Sequence, residues 1–125
     1  MRDIEFRVWD KKEKYMFKLD NDDFFINNNG LQKRHYVAYL GDGYVNATDR
    51  YILMQYTGLK DKNGVKIFEQ DIIKNDPGKI AVVEFGMGKF FARCSCGMEY
   101  QNCDFSQTEI IGNIYENPEL LKEGE

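Results

Sequence analysis

Apolar and polar side chains alternate along much of this 125-residue chain, which is the pattern of half-buried β-strands. Residues 4–9 alternate apolar side chains with charged or aromatic ones, residues 10–14 form a charged turn, and residues 15–19 return to a strand pattern. The sequence therefore predicts an N-terminal β-hairpin over residues 4–19.

A second hairpin is predicted at the centre of the chain, in residues 53–74. The run of residues 51–56 combines aromatic and β-branched side chains, which suit a pleated strand, and we expect this strand to end at the Thr-Gly pair that follows. Asn63 and Gly64 both accept positive φ at little cost, so this pair favours a hairpin turn. The strand pattern resumes at Val65.

Short strands and glycine-rich turns fill most of the remaining chain, with no long helical period between them. The expected strands cover residues 35–40, 44–45, 79–85, 89–94, 98–105 and 109–115. Near the end, Asn117 is a good N-cap and Pro118 suits the first helical position, which predicts one short helix at residues 118–123. The predicted fold class is mainly β: a small antiparallel barrel or roll with an N-terminal β-hairpin and one short C-terminal helix.

Composition supports one globular, strand-rich domain, with 42% apolar and 14% aromatic residues. A chain of this length buries a core without needing metal or disulfides. No stretch approaches the ~20 apolar residues of a membrane helix, and the N-terminus lacks the apolar segment of a signal peptide, so we expect a cytoplasmic protein. The formal net charge of −4 argues against general binding to duplex nucleic acid, which depends on basic surfaces.

The three cysteines, Cys94, Cys96 and Cys103, are the candidates for metal chemistry. A structural zinc site needs four ligands, and the only histidine, His35, would have to join them from far upstream. An odd number of cysteines in a cytosolic chain does not indicate a disulfide framework. We therefore expect free thiols that pack as small apolar side chains, and we assign no metal ligand.

Glu69 and Asp71 are the pair of carboxylates whose spacing allows acid–base chemistry, because residues two apart in a strand share one face. The favoured interpretation is structural, with Asp71 capping backbone amides at the start of a strand and Glu69 solvated. The chain contains no nucleophile elbow, phosphate loop or HExxH motif. No catalytic or cofactor-binding residue is therefore predicted, and we expect a protein that is not an enzyme.

Three blocks of the sequence together resemble the YopX family of phage and prophage proteins. The blocks are FRVWDKKEKYM (6–16), LMQYTGLKDKNGVKIFEQDII (53–73) and IIGNIYENPELL (110–121). They occur in the right order and span most of the chain, leaving about residues 20–50 and 86–107 outside.

The resemblance implies a β-rich protein whose C-terminal part is similar to an SH3-type barrel, and it brings no catalytic residues with it. The expected organisation is one YopX-like domain over residues 1–125, with an N-terminal β subdomain (1–50) followed by the SH3-like barrel and the C-terminal helix (51–125). One departure is visible: Gln70 stands where the family typically has a glycine before Asp71. If this position requires positive φ, Gln70 adds strain on the order of 1 kcal/mol.

The favoured functional hypothesis is a non-enzymatic phage or prophage protein in the bacterial cytoplasm that serves as a binding or assembly module. Its expected partners are further copies of itself, or a host or phage protein, and not a membrane. The first alternative is a barrel that stacks single-stranded nucleic acid on exposed aromatic rings, and the second is a cysteine-based metal-binding protein. The aromatic candidates, which are interpreted first as core or hairpin packing, are Tyr36, Tyr39, Phe90 and Tyr100.

Overall fold

The computed structural model describes residues 4–19, 24–28, 30–37, 41–47, 49–75, 78–94 and 103–123. Their strands are β1 (Phe6–Asp10), β2 (Tyr15–Lys18), β3 (Phe24–Asn27), β4 (Gly30–Val37), β5 (Gly41–Asn46), β6 (Tyr51–Lys60), β7 (Lys66–Phe68), β8 (Asp71–Lys74), β9 (Ile80–Gly86), β10 (Lys89–Cys94) and β11 (Glu109–Asn113). A 3-10 turn (Phe105–Gln107) and one helix, α1 (Glu119–Glu123), complete the described elements. The prediction of a mainly β, barrel-like fold with a short C-terminal helix is confirmed. No described helix has the length and apolar character needed to cross a membrane.

The chain divides into two compact units, one formed by Phe6–Leu53 and the other by Met1–Glu5 with Met54–Glu125. In the first unit β1 pairs with β2, and Val8 lies opposite Phe17. This pairing confirms the predicted N-terminal hairpin. A separate antiparallel sheet in this unit has the order β3-β4-β5.

The core of the N-terminal unit is built around aromatic rings. Tyr51 and Phe24 are buried and meet edge-on, with ring centroids 5.1 Å apart. The aliphatic side chains of Val8 and Leu31 belong to the same cluster, and Phe17 packs against it. Burying one such side chain contributes roughly 1.5–3 kcal/mol, so this cluster accounts for much of the unit's stability.

The C-terminal unit contains an antiparallel sheet of order β10-β9-β8-β11, together with the pairing of β6 with β7. Its core follows the two-residue period of the strands: Ala81 and Val83 point inward from β9, and Ala92 does so from β10. Ile67, Ile73 and Phe105 fill the space between them.

Strand β6 differs from the prediction, because it continues through Thr57 and Gly58 to Lys60. Gly58 adopts a φ of +88°, and the register with β7 shifts between Tyr56 and Lys60. The Thr57 hydroxyl donates to the carbonyl of Ile67 at 2.8 Å and accepts the N–H of Leu59 at 3.1 Å. The Thr-Gly pair therefore makes a bulge within one strand instead of ending it.

Two further predictions near the C-terminus need correction. The strand expected at residues 98–105 does not include Phe105, because Phe105 begins a 3-10 turn. Residues 98–102 of that prediction lie outside the described part of the chain. Asn117 precedes the helix as predicted, and its carbonyl accepts the N–H of Leu120. Its side chain, however, accepts the N–H of Asn113 at 3.2 Å, so the amide serves the preceding turn.

Candidate functional site

Glu69 and Asp71 do not form an acid–base pair on one strand face, because Glu69 lies in the turn before β8. Asp71 is buried and accepts the N–H of Phe68 at 2.8 Å, which confirms its predicted capping role. Glu69 is half-buried and accepts the N–H of Gln55 at 2.7 Å, so the prediction that it is solvated is wrong. Both carboxylates hold backbone segments together.

Asp61 is a structural carboxylate whose role the sequence did not reveal. It is buried, and its two oxygens accept three backbone N–H groups, from Asn63 and Val65 at 2.9 Å and from Ile110 at 3.0 Å. Burial by itself raises the pKa of Asp61, but the bonds from Ile110, Val65 and Asn63 outweigh it and leave the pKa below its ordinary value. Asp61 therefore stays ionised and ties the central hairpin to β11.

In the N-terminal unit, Asp10 and Arg50 form a two-pronged ion pair. Arg50 donates from Nε to Oδ1 of Asp10 at 2.9 Å and from Nη2 to Oδ2 at 2.8 Å. The side chain of Asp10 is buried, while that of Arg50 is 37% exposed and lies over the ring of Tyr51. The bond from Arg50 holds the pKa of Asp10 well below its ordinary range, with additional lowering by the backbone N–H groups of Glu13 and Lys12.

The cysteines do not behave alike. Cys94 is disulfide-bonded, so the expectation of a free thiol is wrong there, whereas Cys103 is free. Cys103 packs against the C-terminal core as a small apolar side chain, and burial raises the pKa of its thiol, assisted by the negative charge of Asp104. Among the described residues no three His, Cys, Asp or Glu side chains are placed to hold a metal ion.

Other sequence candidates fall partly outside the described structure. His35 and Tyr36 lie on β4, but their side chains are not described; Cys96, Tyr39 and Tyr100 lie outside the described residues. Phe90 is half-buried on β10, and its ring packs against that of Phe85 with centroids 4.8 Å apart. Phe90 thus belongs to hairpin packing, and it also reaches a surface groove.

This surface, the Leu59 groove, lies on the C-terminal unit between the bulged part of β6 and the β9–β10 hairpin. It encloses about 500 Å³. Its side-chain lining consists of Gln55, Thr57, Leu59, Phe85, Lys89 and Phe90. Leu59, Phe85 and Phe90 are the apolar half of this lining, the other half is polar, and Lys89 is its only charged residue.

A second depression shares Leu59 and Gly58 with the groove and encloses about 450 Å³. Lys60 and Asp104 both line it and carry opposite charges. Asp104 is exposed, and its carboxylate accepts the N–H and the hydroxyl of Ser106 at 3.0 and 2.6 Å. Leu59 and Gly58 are therefore common to both depressions, and the second one is also lined by the aromatic residues Tyr56 and Phe105.

Exposure of large apolar side chains marks this region. Leu59 is 46% exposed and Phe85 is 52% exposed. Met87, at the tip of the β9–β10 hairpin, is fully exposed and adopts a φ of +50°. Gly88, the other residue of this tight turn, has a φ of +80°. Exposed apolar residues that adjoin one another are a feature of interaction surfaces, whereas isolated ones are common on any protein.

The sequence contained one signal for this surface. The β9–β10 turn favours residues that accept positive φ. Met87 has a Cβ, which makes positive φ unfavourable, and an apolar side chain, which makes exposure to water unfavourable. The groove itself was not predictable, because Leu59 and Phe90 are 31 residues apart and meet only through the path of the chain.

Comparison with known proteins gives two findings. The sequence model of one family, described as "YopX protein", matches residues 5–122. The chain is also similar to the protein in a solved structure titled "Crystal structure of protein EF1440 from Enterococcus faecalis", with 30% identity and a TM-score of 0.62. That similarity covers 97% of this chain and 99% of the other. Among curated proteins there is no match.

Proposed function

The chain belongs to the YopX family, and from that premise we propose that it is a non-enzymatic phage or prophage protein, acting by contact as a binding or assembly module. The contact surface in this proposal is the Leu59 groove. The partner is a further copy of the chain, or a host or phage protein, met in the bacterial cytoplasm.

The observation that carries the proposal is the exposure of two large apolar side chains, Leu59 and Phe85, that line one groove together with Phe90. Leu59 and Phe85 each leave about half of their surface in water. Removing apolar surface from water contributes roughly 25 cal/mol per Å², so a partner that covers both side chains gains affinity from them. Aromatic residues such as Phe85 and Phe90 are common at the centres of interfaces.

The environments of three buried carboxylates support contact over catalysis. The carboxylates of Asp10, Asp61 and Asp71 each accept backbone N–H groups and hold turns in place. General acid–base catalysis requires a group that is within reach of a bound substrate and whose pKa lies near the working pH. The lowered pKa values of Asp10 and Asp61 and their structural bonds do not meet that requirement.

The experiment compares the wild-type protein with Leu59→Glu, which places a charge in the groove. Val65→Glu is the matched control, because Val65 is an apolar residue of the same unit that is 52% exposed and does not line the groove. Each protein is immobilised for capture from a lysate of the bacterial host, and each is examined alone by light scattering after size exclusion.

We expect the wild-type protein and Val65→Glu to show the same self-association or to capture the same protein, and Leu59→Glu to lose that interaction. Circular dichroism verifies that both variants are folded. The proposal is wrong if the wild-type protein neither self-associates nor captures a partner. It is also wrong if Leu59→Glu retains the interaction unchanged.

A second candidate function is binding of single-stranded nucleic acid. The observation in its favour is the adjacent, tilted ring pair of Phe85 and Phe90 with Lys89 lining the same groove, since aromatic rings and a cation suit bases and phosphates. The net charge of −4 opposes it. Fluorescence anisotropy with single- and double-stranded oligonucleotides across a range of salt concentrations distinguishes the two, and this candidate requires binding that weakens as salt rises.

A further inference from the structure

We propose that Asn63 is a site of spontaneous deamidation, that the bonds to Asp61 hold the reaction back in the folded chain, and that its isoaspartate product loosens the central hairpin from β11. The inference is independent of the Leu59 groove and of any partner. It is carried by an exposed Asn-Gly pair that lies in a turn where Asp61 accepts three successive backbone N–H groups.

The reaction requires water and no enzyme. The backbone nitrogen of Gly64 loses its proton and attacks Cγ of Asn63. The C–N bond of the side-chain amide breaks, ammonia leaves, and a five-membered cyclic imide remains. Water then opens the imide: opening at Cγ gives aspartate, whereas opening at the main-chain carbonyl carbon gives isoaspartate, in which the backbone runs through Cβ and Cγ.

Steric hindrance does not protect Asn63. Asn63 and Gly64 are both exposed, and a Cβ built on Gly64 would meet no atom within 4 Å. A glycine after the asparagine places no side chain beside the attacking nitrogen, and its backbone is more adaptable than that of other residues. The chemistry of the pair is therefore limited only by the hydrogen bonds of the turn.

Those hydrogen bonds all lead to Asp61. The N–H of Gly64 donates to its carbonyl at 3.0 Å, and the N–H groups of Asn63 and Val65 donate to its Oδ1 at 2.9 Å. The nitrogen of Gly64 must give up this bond and turn towards Cγ of Asn63, which requires the turn to open. Because local opening has its own free energy, the rate of deamidation follows the population of the open turn.

The isoaspartate product does not fit the closed turn. It adds one backbone carbon between the N–H groups of residues 63 and 64, so those of residues 63 and 65 no longer converge on one oxygen of Asp61. It also adds a negative charge two residues from that buried carboxylate. Since the other oxygen of Asp61 accepts the N–H of Ile110, damage to the turn loosens the attachment of β11.

The test incubates the full chain at mildly alkaline pH, folded and in guanidinium chloride, and follows deamidation at Asn63 by peptide mapping with mass spectrometry. Asp61→Asn weakens the turn, and Asp49→Asn is its control at an exposed aspartate. Asn63→Gln is the control that lacks the reaction, because glutamine closes the corresponding ring much more slowly. The turn tolerates this change, since position 63 does not adopt positive φ.

We expect deamidation of Asn63 to be about tenfold or more slower in the folded chain than in the denatured one. It should accelerate in folded Asp61→Asn and not in Asp49→Asn. Chain that contains isoaspartate at position 63, separated by ion exchange after refolding, should show faster hydrogen exchange at Ile110 than the unmodified chain. Asn63→Gln should show unchanged exchange there.

The inference is overturned if Asn63 reacts as fast in the folded chain as in denaturant, or if it reacts in neither. It is also overturned if the isoaspartate product keeps the Ile110 exchange rate of the unmodified chain. Should Asp61→Asn fail to fold, the wild type decides: protection by the turn requires deamidation and hydrogen exchange at Gly64 to rise together as guanidinium chloride is added below the unfolding midpoint, and independent rates contradict it.

Discussion

The carboxylate of Asp61 accepts the backbone N–H of Ile110 at 3.0 Å, across 49 residues of intervening chain. The other oxygen of the same side chain accepts the N–H groups of Asn63 and Val65. One buried side chain therefore closes the central hairpin and fastens it to β11, and a defect at Asp61 affects both elements.

Replacing Asp61 by asparagine keeps the shape of the side chain but exchanges one acceptor oxygen for a donor. Depending on which oxygen is replaced, either the bond from Ile110 or both bonds from Asn63 and Val65 give way to opposed donors. Leaving a buried N–H without its acceptor costs about 2 kcal/mol, so we expect Asp61→Asn to lower the free energy of unfolding by that amount. Urea denaturation measures it, with the exposed Asp49→Asn as a control that changes little; equal stability of the two variants contradicts the role of Asp61.

Acid should destabilise the protein through Asp10 and Asp61. Both have a pKa lowered in the folded state, so below about pH 4, the ordinary pKa of aspartate, the unfolded chain binds more protons than the folded one. Stability from these groups is present above that pH and is lost as the pH falls through the folded-state pKa values. Urea midpoints measured from about pH 6 to about pH 2.5 should decline in the acid range, and the decline should be shallower in Asp61→Asn. A flat profile would show that neither carboxylate is perturbed.

The Asp10–Arg50 pair should stabilise the N-terminal unit specifically. Trp9, the only tryptophan, is buried next to Asp10 and reports on this unit by its fluorescence. We expect Asp10→Asn to lower the denaturation midpoint of that signal, because the guanidinium of Arg50 and the N–H groups of Lys12 and Glu13 lose a charged acceptor. Arg50→Gln should have a smaller effect, and the double variant should lose less than the sum of the two. Strict additivity would indicate that the pair does not couple.

Gln70 should be replaceable by glycine with a gain in stability. Its φ is +70°, and its backbone is held there because its N–H donates to Val83 at 2.7 Å and its carbonyl accepts from Ile114 at 3.1 Å. Glycine removes the steric cost of this conformation, so Gln70→Gly should raise the free energy of unfolding by about 1 kcal/mol. Gln70→Ala retains a Cβ and should give no comparable gain, and a similar gain in both variants would rule out backbone strain as the cause.

Gly112 should not tolerate a side chain. A Cβ at this position would lie 2.4 Å from Oδ1 of Asn117, whose side chain accepts the N–H of Asn113. Gly112→Ala must displace that amide, and we expect a loss of about 1–3 kcal/mol, as for overpacking in a core. Asn117→Ala makes room, so the double variant should be more stable than the sum of the single changes predicts. Hydrogen exchange at Asn113 and Leu120 locates the effect, and unaltered exchange in Gly112→Ala would contradict it.

The sequence by itself determined the N-terminal hairpin, strand β10 and the family. The hairpin of residues 4–19 and strand β10 were predictable because alternation of side chains and the preferences of turn residues act over a few neighbouring positions. The substitution of Gln70 for glycine was also visible in the sequence, and its positive φ follows from a local turn.

Tertiary structure alone decided which distant groups meet. Asp61 finds Ile110, Leu59 and Phe90 line the same groove, and Gly112 lies against Asn117 only because the strands are folded onto one another. The Thr57-Gly58 pair was predicted to end the strand, but it forms a bulge within β6. A break in the local pattern does not reveal that the Thr57 hydroxyl bonds to the carbonyl of Ile67 and to the N–H of Leu59. Patterns in sequence encode local conformation and burial, whereas a contact surface depends on the positions that the whole chain gives to residues far apart.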